Sequence, residues 1–444
     1  MESNKENNHL TADIREAGRA ARALSSSSAE KRNDLLRRIR DGLFADAHGI
    51  FEANRRDMSA AETEGETSSL MKRLVFDRCK LDAVQDGLVA VEALPDPIGT
   101  VEERRLLDDG LVLEKVRFPL GVIGMIFEAR PDALVQIVSL CIKSGNGIVL
   151  KGGREALETN KALVASIRSS CASHPLGSGW MVHLESRGDV DFILGMDKDI
   201  DLLIPRGSNS FVQHVMSNTR IPVLGHADGI CAIYVDKDAD VTMAVRLAVD
   251  SKTQYPAACN SIETLLVHQA IAPVFLPEAA AALEGNGVKL KGDEATCRII
   301  AVEKASPQDY DTEFISLTLA VKVVESYEEA VEHIAEHGSG HTDCIVTENE
   351  GLARRFMRDV DSSDVFWNCS TRFADGFRFG LGAEVGISTG KIHARGPVGL
   401  DGLVNGRWLL KGQGHVVSDY SGASPRKFKH QELPADSPSM AAEN

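Results

Sequence analysis

Short apolar runs alternate with helix-length amphipathic segments from residue 120 to residue 368, and this alternation limits the fold more than any other feature. Residues 120–127 are an unbroken apolar run, which suits a strand covered on both faces. Pro131 fits the first turn of a helix reaching about Lys143, with Gly145 at its end. Strands are then expected at 147–151, 181–184, 202–204 and 231–235, separated by helices over 156–170, 191–196 and from Ser208. After Cys259 the pattern resumes. Strands are expected at 264–267, 319–324, 344–346 and 365–368, with helices at 273–283, 327–336 and 352–359. Such alternation predicts parallel, doubly wound sheets, and here it occurs twice, with a thiol at the junction.

The 444 residues leave room for two or three domains. Before the alternation, Ser28 is a plausible helix N-cap, and Leu36, Ile39 and Leu43 recur at helical spacing. Residues 106–113 read as a hairpin turning at Asp109-Gly110. A net charge of −16 argues against nucleic acid and anionic membranes as partners. No apolar run has the length of a membrane span, and the polar start, residues 1–8, lacks a signal-peptide core. The eight cysteines are scattered without zinc-type spacing, so a reduced, cytoplasmic protein is expected, with no metal site. His333, His337 and His341 recur every four residues, but Gly338 and Gly340 end the helix before the third.

Cys259 lies in a polar, Pro-interrupted loop leading into an apolar strand. A thiol held there is placed for nucleophilic catalysis. At this point the residues resemble the gamma-glutamyl phosphate reductases, a family of the aldehyde dehydrogenase superfamily. The resemblance is carried by residues 121–131, 143–153, 204–208 and 225–230, by the Cys259 loop, and by 324–345 with its histidines. It continues through Asn368-Cys369-Ser370-Thr371-Arg372-Phe373, residues 381–388 and His393-Ala394-Arg395-Gly396-Pro397. In all it spans roughly residues 10 to 420.

The resemblance implies an α/β, aldehyde-dehydrogenase-like fold: two doubly wound α/β domains and a β-hairpin oligomerisation flap. Residues 11–100 and 120–250 would bind a nicotinamide cofactor, and 251–390 would form the thiol domain. Residues 101–119 and 391–420 would form the oligomerisation element, exposing Leu106, Val112, Leu409 and Leu410 to a second copy in a homodimer or larger assembly. Residues 1–10 and 421–444 are expected to be disordered tails.

The implied reaction is NADPH-dependent reduction of L-glutamyl 5-phosphate to L-glutamate 5-semialdehyde and phosphate, in proline biosynthesis. Cys259 would form a thioester, with its own N–H and the Asn260 side chain as oxyanion donors; Asn260 capping its own backbone is the competing reading. Lys151 and Arg154 would hold the ribose 2′-phosphate of NADPH, Gly207-Ser208 its pyrophosphate, and Glu313 its nicotinamide ribose. Arg130, His226 and Arg372 would contact the substrate, and glutamate 5-kinase would be a partner. The superfamily's water-activating glutamate falls near Gly225 and its oxyanion asparagine near Ala129, so neither side chain is present. The rival readings are an oxidoreductase for another acyl donor such as acyl-CoA, and a non-catalytic scaffold of the same fold.

Overall fold

The computed structural model describes residues 2–435 other than Arg187 and Ala227. Five helices come first: α1 (Glu2–Ser25), α2 (Ala29–Ala45), α3 (Ala47–Glu64), α4 (Ser68–Leu74) and α5 (Arg78–Ala93). Ser28 caps α2 by accepting from Lys31 N, and Leu35, Leu36, Ile39 and Leu43 are buried along one stripe. The start of the chain corrects an expectation, because α1 already begins at Glu2. Ile14, Ala17, Ala21 and Leu24 are buried at helical spacing, and a helix anchored by that stripe extends through a polar segment at little cost.

Strands β1 (Val101–Asp108) and β2 (Leu111–Pro119) form the expected antiparallel hairpin, with Gly110 at φ +74° in the turn. Next come β3 (Val122–Phe127), α6 (Pro131–Ser144), β4 (Gly147–Gly152), α7 (Leu157–Cys171), β5 (Met181–Leu184), α8 (Gly188–Leu194), β6 (Leu202–Arg206) and α9 (Asn209–Ser217). The strands form a parallel sheet in the order β5-β4-β3-β6. Every residue of β3 and β4 is buried, as an unbroken apolar run demands of a strand with helices on both faces.

The second sheet contains β7 (Cys231–Val235), β8 (Ile262–His268), β9 (Lys289–Gly292), β10 (Glu303–Lys304), β11 (Thr318–Val324), β12 (Thr342–Val346) and β13 (Asp364–Trp367). Helices α10 (Val241–Thr253), α11 (Ala272–Gly285), α12 (Glu294–Ile299), α13 (Tyr327–His337) and α14 (Glu350–Asp359) connect them. The order is β10-β9-β11-β8-β7-β12-β13, and all the strands are parallel. This moves a boundary. β7 and α10 were expected to close the first domain, but β7 pairs with β8 and β12. A strand buried on both faces reads the same in either sheet, so its hydrophobic pattern could not assign it.

A second boundary also moves. The short pair β14 (Gly386–Ser388) and β15 (Gly396–Val398) brings Ala383, Val385, Val398, Leu400 and Leu403 back into the core of the first sheet and the N-terminal helices. Finally, β16 (Val404–Lys411) pairs with β2 and β17 (Gln431–Glu432) with β1, giving a four-stranded sheet β16-β2-β1-β17. The C-terminal segment expected to be disordered therefore folds onto the hairpin as far as it is described. Lys429 N donates to Leu107 O and Leu433 N to Arg104 O, while Phe428 stacks on Tyr420. The remainder of that expectation, 436–444, lies outside the described residues. No described helix is long and apolar enough to cross a membrane.

Candidate active site

The carboxyl ends of the first sheet meet the amino ends of the second, and Cys259 sits at that seam on the loop between α10 and β8. Both ends of the loop are fixed from below. Lys252 Nζ, fully buried, donates to Ile262 O (2.9 Å) and to Glu263 Oε2 (2.6 Å), tying the last turn of α10 to the first residues of β8. Residues 370–374 brace it from the side. Thr371 Oγ1 donates to Asn260 O (2.7 Å), Asn260 Nδ2 to Ala374 O (2.6 Å), and Arg372 Nε to Gln254 Oε1 (2.9 Å). Asn260 is thus a buried latch between two loops. One of its two amide N–H donors is committed to Ala374 O, which fixes the side chain and leaves the second. The backbone N–H groups of Cys259 and Asn260 make no hydrogen bond among the described residues and so are free to donate.

Two histidines approach the sulfur. His341, fully buried at the start of β12, places Nε2 3.2 Å from Cys259 Sγ, with Nδ1 2.8 Å from Thr342 Oγ1. His226 Nδ1 donates to Ile387 O (2.8 Å), and the two imidazoles meet edge to face at 4.7 Å. Burial alone would raise the Cys259 pKa, but His341 and His226 outweigh it and hold the thiol well below its ordinary value. Burial likewise pulls His226 down, yet the Cys259 charge and the hydrogen bond to Ile387 lift it to about 9. Each group thus favours the charged form of the other, the electrostatics of a thiolate–imidazolium pair.

The donor atoms of His226, Cys259 and His341 lie within 4.8 Å of one another, a set a soft metal ion could also engage. His333 and His337 take no part. His333 packs edge-on against Tyr310, and His337 pairs with Asp311. Glycine stands at 225, next to His226, so no carboxylate is available there to activate water. Ala129, at φ +44°, gives its N–H to Glu155 and is not an oxyanion donor.

The expected cofactor residues divide into two groups. An added Cβ at Gly229 would meet Cys259 O at 2.3 Å and Glu313 Oε1 at 2.7 Å, so Glu313 lies against the thiol loop. Asn209 Nδ2 holds Glu313 Oε2 at 2.8 Å. Lys151 ends β4, buried, with its ammonium on Gly152 O. Nearby Asn160 has both polar side-chain atoms buried without a partner. Gly207 leaves no space for a side chain, since a Cβ would meet Glu128 and Phe211 at 2.8–2.9 Å. Ser208 opens α9 without side-chain capping, and its N–H donates to the Glu128 carboxylate (3.1 Å). The chemistry of these residues fits a nicotinamide dinucleotide. Arg154 does not join them. It is exposed and paired with Glu64 at 2.8 Å. Of the substrate residues, Arg372 is buried, and burial lowers its pKa against the pull of the Cys259 charge. Arg130 lines a cavity with Arg206 and Glu384, two residues given no role from sequence.

The model of the aldehyde dehydrogenase family matches residues 3–306. The chain is 52% identical over 425 residues to "Gamma-glutamyl phosphate reductase" of Ruminiclostridium cellulolyticum, covering 95% of this chain and 98% of that one. It is also 52% identical to the protein of that name from a Cyanothece species, covering 96% and 98%. The crystal structure of gamma-glutamyl phosphate reductase from Thermotoga maritima superposes with a TM-score of 0.90 at 38% identity, over 92% of this chain and 99% of that one. The chain belongs to the gamma-glutamyl phosphate reductase family of aldehyde dehydrogenases. Membership implies a nicotinamide cofactor, and the surroundings of Lys151, Ser208 and Glu313 have the chemistry to hold one.

His341 is the functional residue that sequence reasoning missed. It was weighed only together with His333 and His337, at a helical spacing that the chain abandons at Gly338. The available signal was its place immediately before a buried strand, much as Cys259 stands three residues before β8.

Proposed function

We propose that this protein reduces L-glutamyl 5-phosphate to L-glutamate 5-semialdehyde and phosphate, with NADPH as reductant, as a step of proline biosynthesis in the cytoplasm. The observation that carries the reading is the Cys259 thiol held between His226 and His341, with glycine rather than a carboxylate at position 225. An acyl phosphate already has a good leaving group, so what it needs is a nucleophile ionised at neutral pH. Cys259 attacks the acyl carbon, and the N–H groups of Cys259 and Asn260 take the developing oxyanion. Protonated His226 and Arg372 receive the departing phosphate. With glycine at 225, the thioester lacks the superfamily's water-activating glutamate and persists until it is reduced. NADPH, when bound, supplies the hydride that reduces the thioester. The two histidines then stabilise Cys259 as it is expelled, since a thiolate with a depressed pKa leaves readily.

Lys151 is the cation available to a ribose 2′-phosphate, Glu313 to the nicotinamide ribose, and Gly207-Ser208 to the pyrophosphate, once Glu128 moves off the α9 N-terminus. The protein works as a homodimer or larger assembly through the β16 side of its four-stranded sheet. It receives its unstable substrate from glutamate 5-kinase.

The test is the reverse reaction: glutamate 5-semialdehyde, phosphate and NADP, following reduced nicotinamide, with Cys259→Ala as control. The expected result is phosphate-dependent turnover that falls at least about a thousandfold in the variant. Turnover that requires coenzyme A instead of phosphate would transfer the assignment to an acyl-CoA reductase.

A further inference from the structure

Between α5, α6 and residues 375–384 lies a cavity of about 480 Å³, a size suited to a small metabolite. Its charged lining is Arg130, Arg206, Asp132, Asp375 and Glu384. Two of these are already satisfied. Asp132 pairs with Lys80 at 2.9 Å, and Asp375 accepts from Phe377 N (3.0 Å) and Arg378 N (3.1 Å). The other three are not. Arg130 makes no side-chain hydrogen bond or ion pair among the described residues. Arg206, on the last residue of β6, has Glu384 Oε1 at 3.4 Å as its one polar side-chain contact among them, longer than a charge-assisted bond should be. Glu384 is fixed by its other oxygen, which accepts from Gly376 N at 2.7 Å. Helix α6 starts at this wall with Arg130 as N-cap and no side-chain capping bond, which adds positive potential. Two guanidiniums and one carboxylate with spare hydrogen-bonding capacity, set in a concave and partly desolvated site, are costly unless a ligand completes them.

We propose that this cavity holds the α-amino-acid end of the substrate: Arg130 and Arg206 take the α-carboxylate, and Glu384 takes the α-ammonium. The inference rests on the reaction proposed above and adds the residues that distinguish a glutamyl group from other acyl phosphates. An α-amino acid carries both charges on one carbon, which matches a cation pair with an anion alongside. Arg206 lies at the carboxyl end of its strand, where ligands of open α/β sheets bind. The Cys259 charge acts on both Arg206 and Glu384, so the cavity lies within electrostatic range of the thiol. Arg372 and His226 then remain for the phosphate.

The test uses the full chain in the reverse direction, varying the aldehyde and phosphate separately. Glu384→Gln is expected to raise KM for glutamate 5-semialdehyde about tenfold to a hundredfold, the effect of losing one charge-assisted hydrogen bond. KM for phosphate should stay within about twofold on the same argument. With 5-oxopentanoate, the same aldehyde acid without the amine, wild type and Glu384→Gln should behave alike. Arg130→Gln removes no internal bond, so it tests the carboxylate seat without threatening the fold, and it should raise KM for both aldehydes. A rise in KM for phosphate in either variant would make this the phosphate seat and overturn the proposal. So would equal losses of Glu384→Gln on the two aldehydes. An active wild type with unaffected variants would sink the clamp alone, whereas a wild type with no phosphate-dependent turnover would sink the reaction and the clamp together.

Discussion

At the scale of single residues, the site depends on a proton shared unequally between sulfur and nitrogen. Cys259 is held well below its ordinary pKa and His226 is lifted to about 9, so the pair is lost on the alkaline side near pH 9. Activity should therefore fall on the alkaline side with a midpoint near 9, as His226 loses its proton, and on the acid side as the thiolate gains one. Replacing His226 by Ala removes the first limb and one of the two forces holding the thiol down. The expected profile rises with pH where the wild type declines. Activity at neutral pH should drop about a hundredfold, as for a positioned proton donor. A pH–rate profile of kcat/KM checks this, and an alkaline limb surviving in His226→Ala would show that another group titrates there. Iodoacetamide labelling of Cys259 should shift to higher pH in the same variant. The pair was only half legible in the sequence. Cys259 announces itself by its loop and its strand, but a histidine's partner is set by tertiary packing. His226 and His341 are separated by the whole of β7, β8 and β11 along the chain and meet because β7 lies between β8 and β12.

At the scale of elements, the strands that carry the site were readable because burial on both faces writes itself as continuous apolar runs. Their sheet membership was not, because membership depends on which edge each strand docks against. The weak elements β9, α12 and β10 also escaped, being short and with few apolar residues exposed to pattern reading. What holds the thiol loop rigid is likewise invisible in one dimension. Lys252 and Glu263 are 0% and 1% exposed and 2.6 Å apart, joining α10 to β8 across the loop. Replacing Lys252 by Met would strand Glu263 in the interior at a cost of about 3–5 kcal/mol. The expected outcome is a clearly lower thermal midpoint together with reduced kcat, because the loop loses its floor. Replacing both residues with apolar ones of similar size should recover most of the thermal stability. A single variant as stable as wild type in calorimetry would mean the pair contributes nothing to the loop.

At the scale of the whole molecule, the four-stranded sheet is incomplete. β17 covers one side, but no described strand pairs with the outer edge of β16. An open edge is a template for another chain. On that strand Trp408 and Leu410 are half or more exposed, at 50% and 59%, and their i, i+2 spacing sets them on one face. Sequence patterning had pointed to Leu409 and Leu410; the structure adds Trp408, flanked by Lys115 at 5.9 Å from its ring. An exposed edge bearing an apolar pair is what a subunit contact leaves behind when one chain is viewed alone. Leu410→Glu combined with Trp408→Glu should convert the assembly to monomers, measured as mass by light scattering at several concentrations. Monomers that remain folded are expected to keep much of their turnover. A mass unchanged by both substitutions, or a wild type already monomeric, would remove this face as the contact. Monomers without activity would instead show that assembly holds the seam between the two sheets closed.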